Sequence, residues 1–574
     1  TALGVYRVTT WSPTIPDFVA EMTFSRLAHN QSGLRTNSVI GNHTLYSSRL
    51  LSSNLVWGGG DYVRSFAGRV FLWKNIEPSE GVFSWADADL ALTQQASNRA
   101  IVYASIAFDE PIGNWPAWAI TNGFPRLDRW SNYVWSVVNR YKGSVRCWED
   151  VNEPQYIFTD GAKFAELLTM TAGAVKAADP TSTFIALGGT VDSAWSTNVW
   201  NALGAGTRAQ IDAVATHLYP AGQRWWAEDQ DTSRFTQFRG FADWAGKALW
   251  NSESGTWELG IRRGQAVGRL SGGVYSQPVF AEGLVLRSVF EALPATLKSA
   301  ARTVAWGGKY FQYDGYLSFY SWANLNTEPT TFDYDQSLRP VYVGLSTMNR
   351  MITGKTAYRS VVNGSAPTTD AFLFGNPATL IVYNRDKALR TFTLTNAAIG
   401  VLDMWGNTVQ TNSTTVVVGH WPQYWVSSAL STNQLAQAFT NSVVSAATDS
   451  SPPQISLDAY PYWSIPTNHP PLLIRWTAQD DHYVATPGAP TNVVTRTKLQ
   501  GRDADFGPWG SSRQLIISGL PAGSYSLIIQ AKDAEALATN EVVGPSFLVQ
   551  GDTNAPPAGG SIIHNAILRD AVLR

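Results

Sequence analysis

The chain is almost without cysteine. Cys147 is the only one in 574 residues, which excludes an internal disulfide framework and a cysteine-rich metal site. Histidine is scarce too, and the seven present show no metal-ligand spacing. No metal or other cofactor is expected. Charged residues make up only 15% and the net charge is −2. There is no Lys/Arg run and no acidic tail, so nucleic acid is not the expected partner. No apolar run approaches the ~18 residues of a membrane span. The opening Thr1-Ala2-Leu3-Gly4 has neither the basic start nor the apolar stretch of a signal peptide. A cytosolic protein would look like this, and so would a secreted or periplasmic one whose signal peptide has already been removed; the second is the expectation. Oligomeric state leaves no trace in the sequence.

Aromatic residues, by contrast, are abundant. There are 24 Trp, 22 Tyr and 24 Phe, more Trp than cores of this size ordinarily use. Flat aromatic faces suit the apolar C–H faces of sugar rings, which makes a carbohydrate the first partner to consider.

Two textures divide the chain. Up to about residue 355, strand-like and helix-like segments alternate. Residues 101–108, 145–151, 184–187, 211–218 and 248–252 are short and rich in strand formers. Trp130, Tyr133, Val134, Val137 and Val138 recur at helical spacing, as do Phe164, Leu167, Leu168, Thr171 and Val175 ahead of Asp179-Pro180. Residues 279–301 read as a long helix. Such alternation predicts an α/β fold with a parallel sheet, and its length fits a (β/α)₈ barrel over 1–355. Residues 5–11 are a possible first strand, followed by an unusually long connection. Residues 356–430 carry short alternating strands and predict a small antiparallel β-sandwich. Residues 431–453, rich in Ser, Thr, Asn and Ala, read as a linker. Residues 454–550 have the size of an immunoglobulin-like or fibronectin-like domain, and 551–574 read as a tail.

Two strand ends carry a glutamate. Trp148-Glu149-Asp150-Val151-Asn152-Glu153-Pro154 closes one, and Leu249-Trp250-Asn251-Ser252-Glu253-Ser254-Gly255 closes another. Glycoside hydrolysis needs two carboxyl groups held rigidly across the scissile bond, and strand C-termini of a barrel meet that need. Taken singly, each glutamate is equally a solvated strand-end residue. Three further segments join them: Asp212 to Pro220 containing His217-Leu218-Tyr219, Arg69-Val70-Phe71-Leu72-Trp73, and Ser318-Phe319-Tyr320-Ser321-Trp322.

Over residues 60–355 this set resembles clan GH-A, the retaining (β/α)₈ glycosidases, and leans toward its family 39-like branch. The resemblance implies that Glu153 is the acid/base and Glu253 the nucleophile. It places Asn152 on the sugar 2-hydroxyl, His217 and Tyr219 at the end of the sixth strand with Tyr219 bonded to the nucleophile, and Trp322 as the floor of the −1 sugar site. Residues 69–73 would be the second strand and 318–322 the eighth; Arg69 would sit beneath the nucleophile, with Arg64 as the second candidate for that place. Spacing supports one register, because a barrel of ~250 residues allots roughly 31 to each βα unit. His217 follows Glu153 by 64 residues and precedes Glu253 by 36, close to two units and one. Asp150 stands where many relatives carry an apolar or aromatic residue.

The implied activity is retaining hydrolysis of a β-linked polysaccharide or oligosaccharide, a β-glucan being the first guess. Trp115 and Trp257, with Trp118, Trp225, Trp226 and Trp306, fall near loops where sugar subsites would lie. Trp463, Trp476 and Trp509 are candidates in the last β domain, either as a glycan platform or as core. Two rivals stand beside this reading: a noncatalytic glycan-binding protein on a decayed barrel, and a metal-dependent barrel hydrolase. Retention of both glutamates speaks against the first, and the lack of clustered His/Asp ligands against the second.

Overall fold

The computed structural model describes residues 3–11, 19–26, 37–44, 61–65, 70–97, 100–107, 115–190, 192–218, 228–255, 293–313, 340–386, 388–395, 397–448, 452–459, 464–467, 471–479, 493–533, 540–544, 546–550 and 561–562. Eight parallel strands close into a barrel. They are β1 (Ile40–Thr44), β2 (Tyr62–Ser65), β3 (Ile101–Ala107), β4 (Val145–Val151), β5 (Thr183–Thr190), β6 (Ala213–Thr216), β7 (Ala248–Ser254) and β8 (Tyr310–Tyr313). Closure comes from β8 pairing with β1, Tyr310 opposite Ile40.

Alternate residues of the strands fill the barrel. Tyr62, Ile101, Tyr103, Cys147, Ile185, Ala213, Ala215, Trp250 and Phe311 form one buried cluster drawn from seven strands. Strand β1 contributes Gly41, and this position requires glycine: a Cβ there would lie 2.6 Å from the Phe311 ring. The barrel is thus plugged with aromatics. Helices cover the outside. In the helix Leu127–Tyr141 the buried residues are Trp130, Tyr133, Val134, Val137, Val138 and Tyr141, the expected apolar stripe. The helix Gly161–Ala178 starts where the Asp160 carboxylate accepts from Ala162 N and ends before Asp179-Pro180.

Three expectations about strands are corrected. Residues 4–11 form no barrel strand; Gly4–Trp11 pairs antiparallel with Val19–Arg26 as a hairpin. The second strand is Tyr62–Ser65, whereas the apolar run from Val70 leads into the helical turn Trp73–Ile76, which buries Trp73. The eighth strand is Tyr310–Tyr313 rather than 318–322, which lies outside the described residues.

Past the barrel, a six-stranded and a three-stranded sheet form the antiparallel β-sandwich. It shares a core with the barrel: Phe372, Phe374, Tyr383, Trp405 and Tyr424 pack with Leu293, Leu297 and Val304 of the helix Leu293–Ala305. That helix is buried on every side, as one inserted between two domains must be. The supposed linker at 431–453 is also corrected. Ser431 and Gln434 form a capping box for the helix Thr432–Thr440, and Val443–Ala446 pairs with Arg390–Thr393. Leu435, Ala438 and Phe439 carry this segment into the sandwich core, an i, i+3, i+4 stripe masked by its polar neighbours. Residues 454–550 form further β-sheets around a separate core that includes Trp476. Among the described residues no helix is long and apolar enough to cross a membrane.

Candidate active site

Polar side chains gather at the C-terminal end of the barrel strands. Arg64, the inward residue two past Tyr62 on β2, is fully buried there. Its guanidinium works as a fork. Nη1 donates to Glu253 Oε2 at 3.0 Å and to His43 Nδ1 at 3.1 Å, while Nη2 donates to Glu149 Oε1 and to Asn152 Oδ1. Glu149 takes a second hydrogen bond from the Tyr103 hydroxyl. One cation therefore ties β1, β2, β4 and β7 together, and it holds Glu253 on one side and Asn152 on the other. Because the Asn152 oxygen is engaged, its NH₂ is the group left to donate elsewhere.

Glu153 and Glu253 sit across one imidazole. His217 Nδ1 lies 2.8 Å from Glu153 Oε1, and its Nε2 lies 3.7 Å from Glu253 Oε2. His43 Nε2 approaches the same Glu253 oxygen at 3.6 Å. An arginine can only donate, so His43 Nδ1 is an acceptor and the ring proton is on Nε2, facing Glu253. Burial lowers the pKa of both histidines, His217 to about 4 despite the nearby Glu253, and both are neutral at pH 7. Glu253 thus faces the Arg64 guanidinium and the His43 Nε2–H, donors that complement a negative charge.

Glu153 differs. Burial pushes its pKa up to about 6, against the pull of Arg64. Its backbone is left-handed, φ 44°, at the entry to the short helix Pro154–Tyr156, and its N–H donates to Gly188 O at 2.7 Å. Such strain is held only where the surroundings enforce it. The end of β6 is fixed from β7: Asn251 Oδ1 accepts from Leu218 N at 3.1 Å, and Ser254 Oγ donates to Leu218 O at 2.7 Å. The β7–β8 register slips between Asn251 and Ser254, an irregularity that re-aims side chains near a site.

Of the residues singled out from sequence, Glu153, Glu253, Asn152 and His217 are brought together. Arg64, the second candidate, occupies the place beside Glu253; Arg69 lies outside the described residues, as do Tyr219, Trp257 and Trp322. Trp115 is corrected from subsite to core. It is 6% exposed and stacks on Trp130, ring centroids 5.1 Å apart, in a cluster with Trp73 and Phe158. Trp476 is likewise core, Trp509 lies against Arg496 and Lys532, and Trp463 is outside the described residues. His43, Tyr103 and Glu149 were not singled out. Among the described residues no group of three or more His, Cys, Asp or Glu is placed to hold a metal.

If Glu153 must carry a proton to act, kcat/KM is expected to fall as pH rises through about 6. A pH profile measured from 4 to 9 checks this. A flat profile across that range would remove Glu153 as the acid.

No family model matches the chain. Among solved structures it is similar to a family 39 glycoside hydrolase from the gut symbiont Bacteroides cellulosilyticus WH2, at 16% identity and a TM-score of 0.55, covering 74% of this chain and 88% of that one. Xylanase 10B from Thermotoga petrophila RKU-1 also aligns, at 16% identity and a TM-score of 0.38 over 56% of this chain and 99% of that one; at that score it adds nothing to the argument. The first likeness is one of fold, and it agrees with the barrel expected from the clan GH-A resemblance.

Proposed function

We propose that the chain is a retaining β-glycoside hydrolase that acts on a β-linked polysaccharide or oligosaccharide by double displacement. The observation that carries this reading is the pair Glu153 and Glu253 at the ends of β4 and β7, in opposite environments on either side of His217. Glu253, held by Arg64, is the nucleophile that attacks the anomeric carbon. Glu153, whose pKa burial raises to about 6, gives its proton to the leaving oxygen. It then takes one from water as the glycosyl-enzyme is hydrolysed. Below about pH 6 protonated Glu153 donates to His217 Nδ1, which leaves the imidazole proton on Nε2 toward Glu253. The Asn152 NH₂ is free to reach the sugar 2-hydroxyl. A β-glucan is the first substrate to try.

A panel of aryl β-glycosides, followed by proton NMR of the first sugar released, tests the reading. Initial release of the β-anomer is expected. Initial α-anomer would mean inversion, and no hydrolysis of any glycoside or glycan would overturn the assignment. The two carboxylates do the chemistry without a metal, so EDTA is expected to leave turnover unchanged. Loss of turnover restored by one divalent ion would point to the metal-dependent alternative.

A further inference from the structure

Strand β5 breaks its regular course beside the site. Leu187, Gly188 and Gly189 all have positive φ, 73°, 43° and 80°. The ladder with β6 passes from Val214 opposite Ala186 directly to Thr216 opposite Thr190, so these three residues face Ala215 alone. The pairing of β4 with β5 runs through Cys147–Thr183, Trp148–Phe184 and Glu149–Ile185 and stops there. The kink begins where that ladder ends.

Two parts of the candidate machinery depend on this kink. Gly188 O takes the N–H of Glu153 at 2.7 Å. Gly189 clears the space for His217, since a Cβ there would fall 1.9 Å from His217 Nε2. What fastens the kink to β4 is a side chain. Asp150 is fully buried, and its Oδ2 accepts from Leu187 N at 2.8 Å, taking over where the backbone ladder ends. The carboxyl lies flat on Gly188, whose Cβ, if it had one, would be 2.9 Å from Oδ1. Burial first, and then the charge of Glu149, push its pKa well above the ordinary carboxylate range. A buried neutral acid in place of an apolar residue needs a local reason, and the Leu187 N–H supplies it: without an acceptor that amide would be buried and unpaired.

We propose that Asp150 is a positioning residue for the acid/base, fixing the Leu187–Gly189 kink and through it the backbone of Glu153 and the ring of His217. This rests on the reading of Glu153 as the acid. In forming the glycosyl-enzyme its effect therefore falls on leaving groups that need a proton. Leaving groups that depart unaided should be indifferent to Asp150, while those that need protonation should not.

The test compares phenyl and 2,4-dinitrophenyl β-glycosides of the sugar that wild type hydrolyses fastest. Asp150→Ala and Asp150→Ser both lose the acceptor for Leu187 N–H. Each is expected to lower kcat/KM, which reports formation of the glycosyl-enzyme, about 10- to 100-fold on the phenyl glycoside, the scale of an ångström-sized misplacement, with kcat/KM on the dinitrophenyl glycoside changed by less than about threefold. Asp150→Asn keeps the acceptor and the shape and is expected to stay within about threefold of wild type on both substrates. In the Glu153→Ala background Asp150→Ala should cost little more, because the two changes act on one function. Equal losses of kcat/KM on both substrates, or a full additional loss in the Glu153→Ala background, would make Asp150 merely structural and overturn the proposal. So would an Asp150→Ala or Asp150→Ser enzyme with wild-type rates. If both truncations fail to fold, the Asn variant decides: a selective loss on the phenyl glycoside sinks the idea and retention of both rates supports it. A wild type inactive on every glycoside overturns the parent reading, and this proposal falls with it.

Discussion

Glu253→Ala is expected to abolish hydrolysis of every glycoside, by roughly four orders of magnitude or more, about 5 kcal/mol of transition-state free energy. Among the described residues no neighbour can replace it. The nearest ring nitrogens, His43 Nε2 and His217 Nε2, stand 3.6 and 3.7 Å from its carboxylate, and the Arg64 guanidinium that it pairs with is a donor only. Added azide should occupy the space of the lost carboxylate, attack from the same face, and yield an α-linked glycosyl azide. Glu153→Ala should fail differently. Loss of general acid help costs roughly 10²–10⁴-fold, and the cost should fall on poor leaving groups while dinitrophenyl glycosides still form the glycosyl-enzyme. Azide then intercepts that intermediate and gives a β-linked product. NMR of the two azide products reads the assignment directly. If the α product came from the Glu153 variant and the β product from the Glu253 variant, the roles would be exchanged. If both variants kept wild-type rates, the chemistry would lie elsewhere in the chain.

Those two glutamates were legible because each ends an apolar strand in a short, recognisable motif, and because their spacing fits one barrel. What surrounds them was less so. The run from Val70 to Trp73 has a stronger strand composition than Tyr62-Val63-Arg64-Ser65, yet only the latter alternates an aromatic and a cation into the barrel. Local propensity favours the wrong segment, and tertiary packing decides against it. Strand β1, Ile40-Gly41-Asn42-His43-Thr44, is weaker still by composition. Gly41 makes sense only once the Phe311 ring is seen against it, and His43 had no motif around it to mark it. The same limit explains Trp115. A tryptophan near a loop reads as a sugar platform until Trp73, Trp130 and Phe158 are found packed around it. Asp150 was visible as a departure from relatives, but its partner, the amide of Leu187, belongs to a kink that no sequence pattern announces.

Arg64 should be the most costly position to change outside the two glutamates. It is fully buried, and among the described residues it donates to Glu253, His43, Glu149 and Asn152. Arg64→Met is close in length and removes the charge. Two buried carboxylates then lose their cation, and breaking a buried pair in this way typically costs about 3–5 kcal/mol. Denaturant unfolding should show that loss, and activity should fall below detection. Arg64→Lys separates charge from geometry. A lysine restores one positive charge, but its single nitrogen cannot serve both sides of the fork. The Lys variant should therefore recover part of the stability while kcat remains down by roughly 10²-fold or more, since Glu253 and Asn152 are no longer held by one rigid group. Glu149→Gln in the Arg64→Met background should return some stability by removing one uncompensated charge, and it should return no activity, because Glu149 touches only Arg64 and Tyr103 in this network. A fully active Arg64→Lys enzyme would show that charge alone suffices at this position. It would leave the fork with no part in aligning the nucleophile.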